Sequence, residues 1–415
     1  MPGRGIGAES PGEATHEHGS LRRRTRQTEP RRDRSSPGRS SALTFGAYLH
    51  VPFCSTRCDY CAFATWTDRG HLVDRYLAGL AVEVDRAVAD GLPDLTSVFV
   101  GGGTPTLVPA EGLVDVLARL PLAPGAEVTV EANPDTVTAE SLRTYRAGGV
   151  TRMSFGVQSM RPHVLAALGR SHDPDNVRQA VAWTRAAGFE TFNLDLIMGA
   201  AGESVDDWAS TIDDVLALDP PHISAYGLTV EPGTPLAADP DRYPDDDDQA
   251  DKYLLTEERL AGAGLRWYEV SNWARPGHEC RHNALYWQAG EYLGFGCAAH
   301  SHRAGRRWWN LRTPERYLDA VEAGQPTEAA GEDLDEGTRR LEVLQLALRT
   351  RHGVPTAALD LTDPDLEGLV QVVGDRAVLT PDGRLLANEV AVRLRVDVGV
   401  TVGQRTGGSG GTSNT

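Results

Sequence analysis

Three cysteines stand close together in the pattern Cys54-x3-Cys58-x2-Cys61. Thiolates spaced like this on one loop can each bind an iron of a cubane [4Fe–4S] cluster. The fourth iron is then left without a protein ligand and open to a small molecule. Zinc would ask for a fourth Cys or His, and His50 and His71 flank the group, so these residues alone leave both metals open. The two other cysteines, Cys280 and Cys297, lie far along the chain and read as free buried thiols. An odd total of 5 in 415 residues argues against a disulfide scaffold, and the clustering points to a metal or redox site in a reducing compartment.

A second group is His282-Asn283-x-x-Tyr286-Trp287. Imidazole and phenolate are both axial ligands of heme iron, and an indole offers a flat face to a macrocycle. The plain alternative is a packed core of His and Trp. The basic aromatic run HRAGRRWWNLR at 302–312 follows. Arg306 and Arg307 there could pair with carboxylates bidentately, although a solvated basic turn accounts for them first.

These groups must be held by something. Short apolar runs occur at 46–51, 97–100, 127–131, 152–157, 191–197 and 222–228. Segments with helical spacing follow them at 70–90, 110–120, 138–147, 173–187 and 205–218. Strand alternating with helix predicts an α/β fold with a parallel sheet. Six such units predict a (β/α)6 barrel, complete or partial, with its function at the C-terminal strand ends. Cys54, Glu131, Gln158 and Asp195 all fall at such ends. The acidic stretch 244–251 reads as the N-terminus of a helix over 249–262. Beyond about residue 310 a helix at 335–350 and a helix, strand, turn (PDG, 381–383) and helix over 363–397 suggest a winged-helix-like appendage. The expected division is a tail at 1–43, a barrel core at 44–230, a covering extension at 231–310, an appendage at 311–402 and a second tail at 403–415.

Composition bounds the rest. Hydrophobic residues at 40% and charged residues at 24% are globular values. The net charge of −17 argues against a nucleic-acid partner. Residues 1–43 are rich in Arg, Ser, Gly and Pro and are expected to be a solvated arm, with contact to acidic lipid or nucleic acid as the functional alternative. No apolar run is long enough to span a membrane, and no secretory signal is visible, so the expected location is cytoplasmic.

The cysteine spacing after a first strand is the signature of the radical S-adenosylmethionine (SAM) superfamily. The resemblance narrows through YLHVPFCSTRCDYC (48–61), GGGTPT (101–106), EANP (131–134), RMSFGVQS (152–159), GRSH (169–172) and NLDLIMG (193–199). It continues through YEVSNWA (268–274), HNALYW (282–287) and GFGCAAHS (294–301). Over roughly 46–400 the chain resembles oxygen-independent coproporphyrinogen III oxidases and their paralogues, the HemW-type heme chaperones. The resemblance implies a [4Fe–4S] cluster on Cys54, Cys58 and Cys61, with Tyr48, Gly102 and Glu131 contacting the SAM bound to it. Tyr60, Gly103, Thr104, Gln158, Arg170 and Asp195 match positions that contact a second SAM in the oxidase. His282, Asn283, Tyr286 and Trp287 match a heme-binding motif. Heme and apo-hemoprotein recipients, respiratory ones among them, would be the partners, with a peripheral contact of this protein at the inner face of the membrane and a homodimer left open.

One departure separates the two branches. The oxidase pattern runs on as CxxxCxxCxC, and here Cys61-Ala62-Phe63 puts phenylalanine at the extra cysteine. The oxidase's ordered N-terminal extension is replaced by the low-complexity 1–43. Both differences favour a heme chaperone over an enzyme that decarboxylates coproporphyrinogen III.

Overall fold

The computed structural model describes residues 44–396; the two tails fall outside it, wholly at 1–43 and 403–415. Six strands follow one another in parallel register: β1 (Phe45–Val51), β2 (Leu95–Gly102), β3 (Leu122–Ala132), β4 (Arg152–Gln158), β5 (Thr191–Met198) and β6 (His222–Gly227). They are buried over most of their length, as parallel strands covered by helices must be. The crossovers run through α1 (Val73–Ala89), α2 (Ala110–Leu117), α3 (Ala139–Ala147), the short α4 (Pro162–Ala167) with α5 (Pro174–Ala186), and α6 (Val205–Leu216). Local chemistry sets their starts. Thr138 and Ser204 form capping boxes that satisfy the first free N–H groups of α3 and α6.

The sheet then grows at both ends. After α7 (Asp246–Gly262), β7 (Arg266–Glu269) and β8 (Asn272–Ala274) add antiparallel beyond β6. Asp245 caps α7, and Asp246, Asp247 and Asp248 fill its first turn, the dipole role expected of the acidic run. The chain crosses back through α8 (Arg281–Trp287) to β9 (Glu291–Phe295), which pairs parallel with β1. There β10 (His300–Arg303), β11 (Arg306–Asn310) and β12 (Glu328–Asp333) continue the sheet, with α9 (Pro314–Glu322) between the last two. The basic run 302–312 is therefore a strand pair in which Arg306 and Arg307 are bound to Glu328 and Glu332.

The appendage begins later than residue 311. The large sheet continues to Asp333, because β11 and β12 complete their ladders there. A separate small core of Leu344, Leu348, Val354, Leu366, Leu379 and Val390 then gathers under α10 (Glu336–Leu348). Its sheet holds β13 (Val354–Pro355), β14 (Val370–Val373) and β15 (Arg376–Leu379), followed by α11 (Pro381–Leu385) and α12 (Ala387–Ala391). The segment over 363–397 thus carries two strands where one is expected. PDG is the first turn of α11, because the Thr380 hydroxyl accepts the Gly383 N–H and caps a helix there.

Two carboxylates fasten the returning chain to the barrel. Glu127 of β3 accepts the backbone N–H groups of Arg281 at 2.9 Å and His282 at 3.2 Å, closing the N-terminus of α8. Glu83 of α1 accepts from Gly296 N at 2.7 Å, Tyr317 Oη at 2.8 Å, and Asn310 Nδ2 and Thr327 Oγ1 at 2.9 Å each. Burial pushes the Glu83 carboxyl above its usual range even with these four donors. Glu83→Ala strands all four, so it should lower the unfolding free energy by about 3 kcal/mol or more. Denaturant unfolding measures this, and an unchanged midpoint would show that β9–β12 are held by their ladders alone.

Candidate functional site

At the C-terminal ends of the parallel strands lies a cavity of about 580 Å³. It opens where β1 ends and the cysteine loop begins, and Cys54, Cys58 and Cys61 all line it with no disulfide among them. Burial raises the thiol pKa of Cys54 and Cys61. Donors approach the sulfurs: Thr104 Oγ1 lies 3.8 Å from Cys54 Sγ, and Arg170 Nη1 lies 3.6 Å from Cys58 Sγ. Three free thiols on one wall, with hydroxyl and guanidinium donors aimed at them, suit a cluster of thiolate-bound irons.

Gly102 and Gly103 form the floor beside the loop, and here absence of a side chain is required. Gly102 has φ +110, and a Cβ would strike the His50 ring at 2.5 Å. A Cβ on Gly103 would strike the Phe53 carbonyl oxygen at 2.5 Å. That close approach lets Gly103 N–H donate to Val51 O and Thr104 N–H to Phe53 O, both at 2.7 Å, which fixes the loop to β2.

Opposite the cysteines stand Glu131 and Asp195. Glu131 accepts the Gly102 N–H at 3.2 Å. Burial, reinforced by the Asp195 charge, pushes its carboxyl up to about 8. Two carboxylates in this space favour a cationic ligand group, which would draw Glu131 back to its ionised form. Asp195 is held by Ser154 Oγ at 2.9 Å and Asn193 Nδ2 at 2.7 Å. Gln158 takes φ +62 at a bulge in β4, a costly backbone for a non-glycine residue, and its buried Oε1 has no partner. It lines the cavity with this acceptor unpaired. Arg170 Nη2 also donates to Gly156 O at 2.9 Å, and Tyr60 completes the lining.

The structure thus brings together Cys54, Cys58, Cys61, Tyr60, Gly102, Gly103, Thr104, Glu131, Gln158, Arg170 and Asp195. It does not bring Tyr48 to the lining. That hydroxyl meets His50 Nδ1 at 3.1 Å and the ring stacks on Phe99, so Tyr48 supports the histidine beneath Gly102.

The 282–287 motif is also set apart. His282 is fully buried, with Nδ1 3.0 Å from Ser97 Oγ and Nε2 2.9 Å from Tyr286 Oη. Burial lowers its pKa to about 3, so the ring is neutral and both nitrogens are engaged. In this arrangement both ring nitrogens of His282 are engaged, one of them by the Tyr286 hydroxyl, so the imidazole presents no free lone pair to an iron. Asn283 and Trp287 face the buried Glu269 carboxyl and oppose the upward push that burial gives it. Asn283 alone of the four reaches a void, a second chamber of about 210 Å³ that shares Glu131, Ser154, Asp195 and Tyr226 with the main cavity.

Sequence reasoning missed this chamber. Arg152, buried and with Nη2 unpartnered, and His222, bonded to Asn193 and Tyr268, line or buttress it. Alternation of polar side chains along β4 (Arg152, Ser154) and β5 (Asn193, Asp195) was the available signal, since a strand interior would otherwise be apolar.

Cys58→Ala leaves two thiolates, and anaerobic reconstitution should then yield a chain with most of its iron and sulfide missing; a full four irons would overturn the ligand set. Glu131→Ala should weaken SAM binding to the reconstituted chain by roughly tenfold to a hundredfold, about 1.5–3 kcal/mol, in equilibrium dialysis. Unaltered binding would make Glu131 a cap for Gly102 only.

A family model of the radical SAM superfamily matches residues 48–215. The chain is 44% identical over 369 residues to heme chaperone HemW of Mycobacterium tuberculosis, covering 84% of this chain and 94% of that protein. It is 34% identical to heme chaperone HemW of Escherichia coli, over 83% and 96% of the two chains. The solved structure of Escherichia coli coproporphyrinogen III oxidase (HemN) superposes with a TM-score of 0.74 at 23% identity, over 84% of this chain and 89% of that one, a likeness of fold. A three-thiol loop closing a partial parallel barrel, together with identity that spans nearly the whole length of these relatives, establishes that the chain belongs to the radical SAM superfamily and, within it, to the HemW heme chaperones.

Proposed function

We propose that this protein holds a [4Fe–4S] cluster on Cys54, Cys58 and Cys61, binds SAM at the open iron between Gly102 and Glu131, and carries heme to apo-hemoproteins. The observation that carries this reading is the identity to HemW heme chaperones along most of both chains, with all three cysteines at one cavity. The carboxylate pair Glu131 and Asp195 suits the cationic groups of SAM, and Gln158 Oε1 offers an acceptor still without a donor. The positions matched to a second SAM, Tyr60, Gly103, Thr104, Gln158, Arg170 and Asp195, share the same cavity and belong to the same proposal.

The rival reading, oxidative decarboxylation of coproporphyrinogen III, has the fold in its favour. Phe63 speaks against it. It lines the cavity at the position of the oxidase's extra cysteine and is 65% exposed. Among the described residues no helix is long and apolar enough to cross a membrane. We place the hand-over in the cytoplasm, with respiratory apo-proteins at the inner face of the membrane as recipients.

One sample tests the reading. Chain reconstituted anaerobically with cluster and SAM should take up heme and pass it to an apo-hemoprotein, and should form no protoporphyrinogen IX from coproporphyrinogen III when a reductant is supplied. SAM-dependent appearance of protoporphyrinogen IX would replace the chaperone reading with the oxidase.

A further inference from the structure

On the floor of the second chamber lies a buried cation without a counter-ion. Arg152 lines the chamber and is 1% exposed. Its Nη1 donates to Thr191 Oγ1 at 3.0 Å and to the His278 carbonyl at 2.9 Å, both neutral acceptors. Its Nη2 is buried and donates to nothing. Among the described residues no carboxylate pairs with this guanidinium, although a buried charge ordinarily has a partner. Thr129 is its direct neighbour across β3 and β4, and the buried Thr129 Oγ1 also has no partner.

Register keeps the acids away from this floor. Glu131 pairs with Ser154, two residues nearer the strand ends than the Thr129–Arg152 pair. That is a backbone step of about 6–7 Å. Glu131, Ser154, Asp195 and Tyr226 line both spaces and form a neck, whereas Arg152, His222 and Cys280 line the chamber alone. At the neck Asp195 feels the Arg152 charge but accepts its hydrogen bonds from Ser154 and Asn193. The Glu131 carboxyl, pushed up to about 8, is mostly uncharged at pH 7 until a cation approaches it. Around the floor, His222 is held neutral by burial, with Asn193 and Tyr268 on its two nitrogens. Burial also raises the Cys280 thiol, which therefore adds no charge. Glu127, deeper on β3, spends its oxygens on the Arg281 and His282 N–H groups. The floor thus presents one fixed positive charge and two unused polar groups to a space of about 210 Å³. Water can accept such hydrogen bonds but brings no charge.

We propose that the chamber is a carboxylate pocket: a short carboxylate arm of a ligand seated in the main cavity passes the neck and takes the free Arg152 N–H and the Thr129 hydroxyl. The space suits an arm and is too small for a macrocycle. Two ligands of the proposed function carry such an arm, SAM on its methionyl end and heme on its propionates. The pocket follows from Arg152 and its surroundings; which ligand fills it rests on the reading above.

The full chain with its cluster reconstituted is tested first with sodium propionate against sodium chloride at equal ionic strength. Propionate should raise the Tm of wild type above its value in chloride. Arg152→Met should lose that rise while keeping wild-type cluster iron and sulfide, and Arg152→Lys should retain part of it. An equal rise in Arg152→Met, or none in wild type, leaves water in the chamber and overturns the proposal. Two ligand pairs then identify the arm: hemin against its dimethyl ester, and SAM against its decarboxylated form. For the ligand that uses the pocket, removing the carboxylate should weaken binding to wild type by about tenfold or more and change little in Arg152→Met. If wild type binds both ligands and neither pair depends on Arg152, the assignment of the arm is overturned. If wild type binds neither hemin nor SAM while propionate still acts through Arg152, the reading of function falls and the pocket stands.

Discussion

The site depends on how closely the backbone of Gly101–Gly103 approaches the end of β1. Two N–H groups of the glycine turn bond carbonyls at 51 and 53, and any Cβ at 103 would collide with one of them. Because of that approach, a loop with few backbone bonds of its own leaves the barrel at a set angle with three thiols facing inward. β1 is well suited to the task. It is a buried strand paired on both sides, with β2 and β9, so its end is among the most constrained points of the sheet. His50 beneath Gly102 carries the constraint outward by holding the Ala64 carbonyl at the far end of the loop.

Inside the cavity the electrostatics are arranged for something absent from the chain itself. Glu131 and Asp195 have been brought together at a cost, since their proximity and burial both resist ionisation. Gln158 sits in a left-handed conformation with an acceptor unpaired. On the cluster side, by contrast, Arg170 and Thr104 supply donors. Donors toward sulfur and acceptors around Glu131 and Asp195 give the cavity one face that suits thiolates and another that suits a cation. Asn193, Ser154, Ser224 and His222 hold this arrangement from below, each satisfied by the next. Such a network stays in place because breaking one member leaves the others buried and unpaired.

The returning half of the chain uses carboxylates as fasteners. Glu127 closes α8 and Glu83 gathers β9, β11 and the helix and strand beyond them. Neither carboxylate lines the cavity, yet together they hold α8 and β9–β12 against the barrel. Between barrel and added strands runs a row of rings from Phe99 through His282, Tyr286 and Tyr292 to His302. The motif at 282–287 is its centre, packed against the barrel on one side and the added strands on the other.

Much was written in the sequence by itself. The cysteine spacing, the alternation of apolar runs with helical segments and the capping residues are short-range signals, and the six parallel strands and their crossovers follow from them. The acidic run before α7 behaves as its local dipole demands. Other features were settled only by tertiary structure. Phe63 and His282 read alike as ring-bearing members of motifs, but one is exposed at the cavity and the other is sealed between Ser97 and Tyr286, because burial depends on which distant strand arrives beside a residue. Tyr48 turned toward His50 for the same reason. The strands beyond residue 290 have polar, charged patterns that resemble turns in isolation. They become sheet because β1 still had an open edge to offer, and long-range pairing of that kind leaves no periodic trace in the chain.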